Sequence, residues 1–192
     1  MVMIIKDKET GLNNNVRKIA IAGLLAAMTV LTTVFTRIPV SIANGYFNLG
    51  DTIILAAGVL FGGFTGSFAG AAGSVVADIL TGAYLFAPIT LIVKGAEGFA
   101  AGILSRGIAN RLSASPAQRR LHDRKLMPAL VIGASVMVVG YFLAEATVLA
   151  LFDSAFGIAT AVAELPFNLI QGGASIILAR LAIEGFKRTK IL

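Results

Sequence analysis

Asp78, Lys94, Glu97, Glu145 and Glu164 all fall inside long apolar stretches, and Asp51 stands at the edge of one. Ionisable groups are costly in hydrocarbon and in such segments usually mark a binding site or a pathway. Their spacing is that of helix faces. Lys94 and Glu97 are i and i+3, Tyr141 and Glu145 are i and i+4, and Glu164, Asn168 and Gln171 are i, i+4 and i+7. Three helices therefore each offer a polar stripe at similar depth. The amides of Asn168 and Gln171 can donate to and accept from the edge of a heterocycle. Tyr46 and Phe47, in the loop with Asn48, can stack on a flat ring and exclude water. A purely structural reading uses the same residues: Lys94 and Glu97 as an internal salt bridge, Asn168 and Gln171 as interhelical hydrogen bonds. The shared depth favours a binding pocket made of Tyr46, Phe47, Asn48, Asp78, Lys94, Glu97, Tyr141, Glu145, Glu164, Asn168 and Gln171.

The chemistry on offer is recognition rather than catalysis. No cysteine is present, and the single histidine, His122, sits among arginines, where a solvated residue is expected rather than a metal ligand. No nucleophile stands beside a base partner, and no G-x-x-x-x-G-K-[ST] loop exists to hold ATP. An integral-membrane enzyme using Glu97 or Glu145 as a base remains an alternative class, as does a small channel. Against a channel, the polar stripes stop in one half of the spans and leave no continuous path.

The elements that position these residues follow from composition. Of 192 residues, 57% are apolar and only 14% are charged, where a soluble domain carries about a quarter charged residues. The surface must therefore face lipid, where only helices and closed barrels satisfy their backbones. The apolar stretches are continuous rather than alternating, so the expected fold is all-α: one integral membrane domain over residues 1–192 with six transmembrane helices. Those are expected over 16–35, 51–61, 66–80, 88–104, 126–151 and 158–183. The second is short for a span of about twenty residues; Gly62, Gly63 and Gly66 read as the turn that joins it to the third. No internal repeat is visible.

Charge sets the orientation. Of the 16 Lys and Arg residues, 14 fall in three places: the N-terminal segment 1–15 with Arg17 and Lys18, the basic loop 105–125, and the C-terminal end. Six spans put all three on one face, which the positive-inside rule makes cytoplasmic, together with both termini. The net charge of +6 is thus explained by topology, without nucleic acid.

The runs GYFNLGDTIILAAGVLFG, GSFAGAAGSVVADILTG, FAPITLIVKGAEGFAAGIL and LPFNLIQGG, in that order, resemble the substrate-binding S components of energy-coupling factor (ECF) vitamin transporters, riboflavin-type subgroup. The resemblance covers nearly the whole chain. It implies a multi-pass protein of the bacterial plasma membrane that captures a vitamin from outside. It also implies partners, namely a transmembrane coupling (T) subunit and two cytoplasmic ATPases; ATP is used there and no cofactor is bound by this chain. Family members offer small residues on the first helix to the coupling subunit, which here are Ala22, Gly23, Ala26 and Ala27, and the loop 41–50 would cover the vitamin. Four acidic positions against one basic in the spans suit a neutral or amine-bearing ring over an anion. The expected ligand is a small pyridine or pyrimidine such as pyridoxine or hydroxymethylpyrimidine, with riboflavin or cobalamin as alternatives.

Overall fold

The computed structural model describes residues 2–39, 46–105 and 116–188. Helix α1 (Val2–Phe35) leads into a small antiparallel hairpin, β1 (Ile38–Pro39) with β2 (Tyr46–Phe47), in which Ile38 pairs with Phe47 and Pro39 with Tyr46. Then come α2 (Gly50–Phe61), α3 (Gly63–Leu80), α4 (Ala87–Ser105), α5 (Pro116–Leu143) and α6 (Ile158–Arg188). Residues 41–45 of the expected covering loop, and Arg106 and Arg111 of the basic loop, lie outside the described residues, as does the His122 side chain.

Among the described residues, five helical stretches are long and apolar enough to cross a membrane: Asn15–Phe35, Gly63–Leu80, Ala87–Ser105, Arg124–Leu151 and Ile158–Phe186. Their outward faces carry Phe35, Phe64, Ile92, Leu151 and Leu181, all largely exposed. Exposed apolar bands of this kind are what lipid requires. α2 is different. Its 12 residues span only about 18 Å at 1.5 Å per residue, and Ile54, Leu55, Ala57 and Val59 are fully buried. It is a half-length core helix surrounded by the others. The described residues thus form six helices, five of them of membrane-spanning length, packed around the α2 that its sequence already marks as short.

Two boundaries also differ. The expected loop over residues 105–125 turns helical at Pro116, whose fixed φ and missing N–H suit a first helical turn. The fifth span leaves α-geometry near its end: Ala144–Val148 form a π-helical turn and Leu149–Leu151 a 3-10 turn. A π-turn widens a helix locally and is common at functional positions; this one carries Glu145.

Close packing comes from glycine. A Cβ at Gly66, Gly98 or Gly102 would lie closer than 3.0 Å to the backbone of a facing helix, so α2, α3 and α4 approach nearly backbone to backbone, as small residues permit in membranes. Gly62, at φ +96°, makes the sharp reversal between α2 and α3, a conformation with no steric cost only for glycine. An apolar core of Leu55, Val59, Leu130 and Ile183 fills the end of the bundle away from the hairpin. A second small cluster, Phe86, Leu149 and Phe156, closes the hairpin end. The polar side chains lie between the two.

Candidate functional site

The hairpin end of the bundle holds a polar cavity lined by Tyr46, Asp78, Phe86, Thr90, Tyr141, Glu145, Glu164, Asn168 and Gln171. Each comes from a different local cause. Tyr46 hangs from β2. Asp78 is in the last turn of α3. Thr90 lies in the first turns of α4, where its hydroxyl meets that of Tyr141 at 3.0 Å. Glu145 is presented by the π-turn. Glu164, Asn168 and Gln171 descend one face of α6, as their spacing requires.

Seven of the eleven residues expected from the sequence line this cavity. Phe47, Asn48, Lys94 and Glu97 do not. Phe47 is half-buried in the hairpin. Asn48 is part of the wall: its backbone N–H donates to Gln171 Oε1 at 2.8 Å, and its Oδ1 accepts from the Gly50 N–H at 2.8 Å. Lys94 is fully engaged with carboxylates. Its ammonium donates to Asp51 and lies 3.3 Å from Glu97 Oε2, all three side chains being buried. Gln171 ties this group to α6 by donating from Nε2 to Asp51 Oδ2 at 2.8 Å. Of the two readings left open for Lys94 and Glu97, the ligand-free geometry has the salt bridge, with Asp51 as the nearer partner. Asp51 is not at an exposed edge; it is among the most buried residues of the chain.

Sequence reasoning missed Phe86 and Thr90. Thr90 precedes Lys94 by one helical turn, so the helix-face rule that found Lys94 and Glu97 reaches it too. Phe86 carries no polar signal, and its place follows only from the fold.

Among the described lining atoms, Asp78 Oδ2, Glu145 Oε2 and Asn168 Nδ2 are buried without a hydrogen-bond partner, whereas the Glu145 and Glu164 carboxyl groups are bonded to each other. Buried polar atoms are normally satisfied, and each exception calls for an explanation. The residues that carry these two acceptors and one donor come from three helical elements and line the same cavity. At the rim, the Tyr46 hydroxyl donates to Asp78 Oδ1, and the Arg37 guanidinium lies 4.3 Å above the Tyr46 ring while donating to the Thr81 carbonyl at 2.8 Å. Burial, and then the neighbouring Asp78 carboxylate, push the Tyr46 phenol well above its ordinary range, so it keeps its proton. Beyond it, a more open pocket is lined by Arg37, Tyr84, Asp153 and Phe156; Phe86 borders both spaces.

The ion cluster beneath the cavity should be indispensable to folding. Lys94→Met leaves Asp51 and Glu97 buried without their cation and should cost about 3–5 kcal/mol, read as a lower thermal midpoint and less monodisperse protein in detergent. Adding Asp51→Asn and Glu97→Gln to Lys94→Met should recover much of that loss. A single variant as stable as the parent would show that Lys94 is not needed there.

The described chain matches known proteins in three ways. The family model described as the ECF-type riboflavin transporter, S component, matches residues 13–188. An uncharacterized protein in the gap 3' region of Pyrococcus woesei is 38% identical over 152 residues, covering 79% of this chain and 88% of that protein. Two solved structures share the fold at 17% identity. One is described as the S component of a bacterial ECF transporter, with a TM-score of 0.64 over 93% of this chain and 99% of its own. The other is ThiT from Listeria monocytogenes, with a TM-score of 0.58 over 89% and 97%. With its matched length, its fold and its span pattern in agreement, the chain belongs to the family of ECF-type riboflavin transporter S components.

Proposed function

We propose that the cavity between Asp78, Tyr141, Glu145, Glu164 and Asn168 is the vitamin site of this S component and that its ligand is riboflavin. As a member of the family the chain is a substrate-binding membrane component rather than an enzyme, and works with a T component and two ATPases. The observation that carries the site is that three buried, unpartnered polar atoms, from three helical elements, belong to residues lining one cavity. Leaving such atoms unpaired is expensive, and a ligand with matching donors and an acceptor removes that expense. The choice of riboflavin rests on the family description. The size of the cavity supports a second reading. It measures about 30 Å³, so a small pyridine or pyrimidine asks less rearrangement of the lining than a three-ring flavin does.

We place both termini on the cytoplasmic side, with α2 crossing jointly with α3. Support comes from the basic clusters near the two ends of the chain and before α5, since such clusters stay in the cytoplasm. The coupling face is read from α1. Gly23 and Ala27 are exposed, and space around Gly23 is open. Ala22 and Ala26 are half-buried, and the Ala26 carbonyl abuts Gly73 of α3. The docking stripe therefore centres on Gly23 and Ala27 rather than on Ala22 and Ala26.

Two measurements check this. In calorimetric titration the purified chain, without ATPases, should bind riboflavin with a nanomolar dissociation constant, about −12 kcal/mol. Asn168→Ala should weaken binding by about 1–3 kcal/mol at nearly unchanged stability, whereas Gln171→Ala should also lower stability, because it removes the tie to Asp51 and Asn48. Tight binding of pyridoxine without riboflavin binding would select the second reading. In co-purification, Gly23→Leu with Ala27→Leu should abolish assembly with the T component and spare ligand affinity; intact assembly would place the docking face elsewhere.

A further inference from the structure

The Tyr46 phenol reaches from the hairpin into the cavity and donates to one oxygen of Asp78, while the other Asp78 oxygen has no partner. It is one of two aromatic hydroxyls among the lining residues, and the other, on Tyr141, already meets Thr90. The remaining unmatched groups, Glu145 Oε2 and Asn168 Nδ2, belong to the π-turn after α5 and to α6, and both residues line the same space. At about 30 Å³ the space admits something of the size of a water molecule. A vitamin therefore requires that a lining group withdraw. Phe86 is held in an edge-on ring contact with Phe156. Glu164 and Gln171 are held by Glu145, Asn48 and Asp51. Tyr46 is attached to a two-residue strand at the rim, with its ring turned toward Arg37 and the outer pocket. It is the group whose departure disrupts least.

We propose that Tyr46 is an internal surrogate for the ligand: its phenol occupies on Asp78 the place of a ligand hydroxyl or amine, and binding exchanges the one for the other. The proposal rests on the cavity being the vitamin site, and it specifies what that site reads. The ligand must present donors to Asp78 and to Glu145 and an acceptor to Asn168, which describes a hydroxylated or amine-bearing heterocycle and disfavours a phosphorylated one. It also inverts the expectation that Tyr46 simply covers the ligand. On that expectation the hydroxyl is dispensable or helpful; as a surrogate it competes.

The test is a double-mutant cycle with riboflavin and pyridoxine as probes, reading association rate, dissociation constant and ligand-free thermal midpoint. Tyr46→Phe keeps the ring beneath Arg37 and removes only the competing hydroxyl. It should bind the probe about tenfold more tightly and faster, while its ligand-free thermal midpoint falls because Asp78 has lost a donor. In an Asp78→Ala background the same substitution should leave affinity unchanged, since the acceptor they compete for is gone. Unchanged or weaker binding by Tyr46→Phe in a chain whose parent binds the probe would overturn the surrogate role and leave the vitamin site standing. An equal gain in both backgrounds would also overturn it. A parent chain that binds neither probe overturns the site assignment, and the surrogate role with it.

Discussion

A lysine ammonium in the middle of a membrane protein must be neutralised on the spot, and Lys94 imposes that requirement on everything around it. Its carboxylate partners come from two helices, Asp51 from the first turn of α2 and Glu97 from its own helix, and Gln171 of α6 completes the tie. Water cannot reach the cluster and lipid cannot solvate it, so these helices have little freedom to slide or rotate. The half-length α2 is explained by the same constraint. Its N-terminus has to begin at the depth of Lys94, so Asp51 in the first turn of α2 is a buried carboxylate rather than a rim residue. Backbone-close glycine contacts between α2, α3 and α4 then hold that depth without a long lipid-facing helix.

With the floor fixed by charge pairing, the polar groups one layer nearer the hairpin are left over. Asp78, Glu145, Glu164 and Asn168 cannot all satisfy one another across the space they enclose, and three of their atoms remain unmatched. The contrast between the two layers separates scaffold from site. In the lower layer Lys94 stands between Asp51 and Glu97 as counterions, although the Glu97 oxygens make no hydrogen bond. In the upper layer the unmatched atoms have no counterion in the protein, and the proposed vitamin site rests on that surplus. Tyr46, Phe86 and Arg37 stand between this layer and the outer pocket, so passage to the site depends on aromatic side chains at the rim.

Much of this was legible in the sequence. Continuous apolar stretches specify helices in lipid, and the i, i+4, i+7 pattern of Glu164, Asn168 and Gln171 specifies one face of α6. What the sequence does not carry is pairing between helices. Lys94 and Glu97 read equally well as ligand contacts or as a salt bridge, because the deciding partner, Asp51, lies 43 positions away. The π-turn at Ala144–Val148 has no periodicity signature in a run this short, yet it sets the aim of Glu145. The helical extension from Pro116 was hidden by its charges, which suit a solvated helix as well as a loop. Phe86 is silent for another reason: an apolar residue among apolar residues acquires a role only when the fold places it beside a cavity.

The central claim is that the unmatched layer holds a vitamin in a chain that needs no partner to bind it. Native mass spectrometry of the purified chain, released from detergent after expression in cells supplied with riboflavin and pyridoxine, tests this most directly. The account predicts a single non-covalent adduct with the mass of one of these vitamins, retained by the parent and lost when Glu145 is replaced by Leu, with the protein still folded. An adduct that survives Glu145→Leu at full occupancy, or a parent that carries none while its assembled complex does, would contradict it.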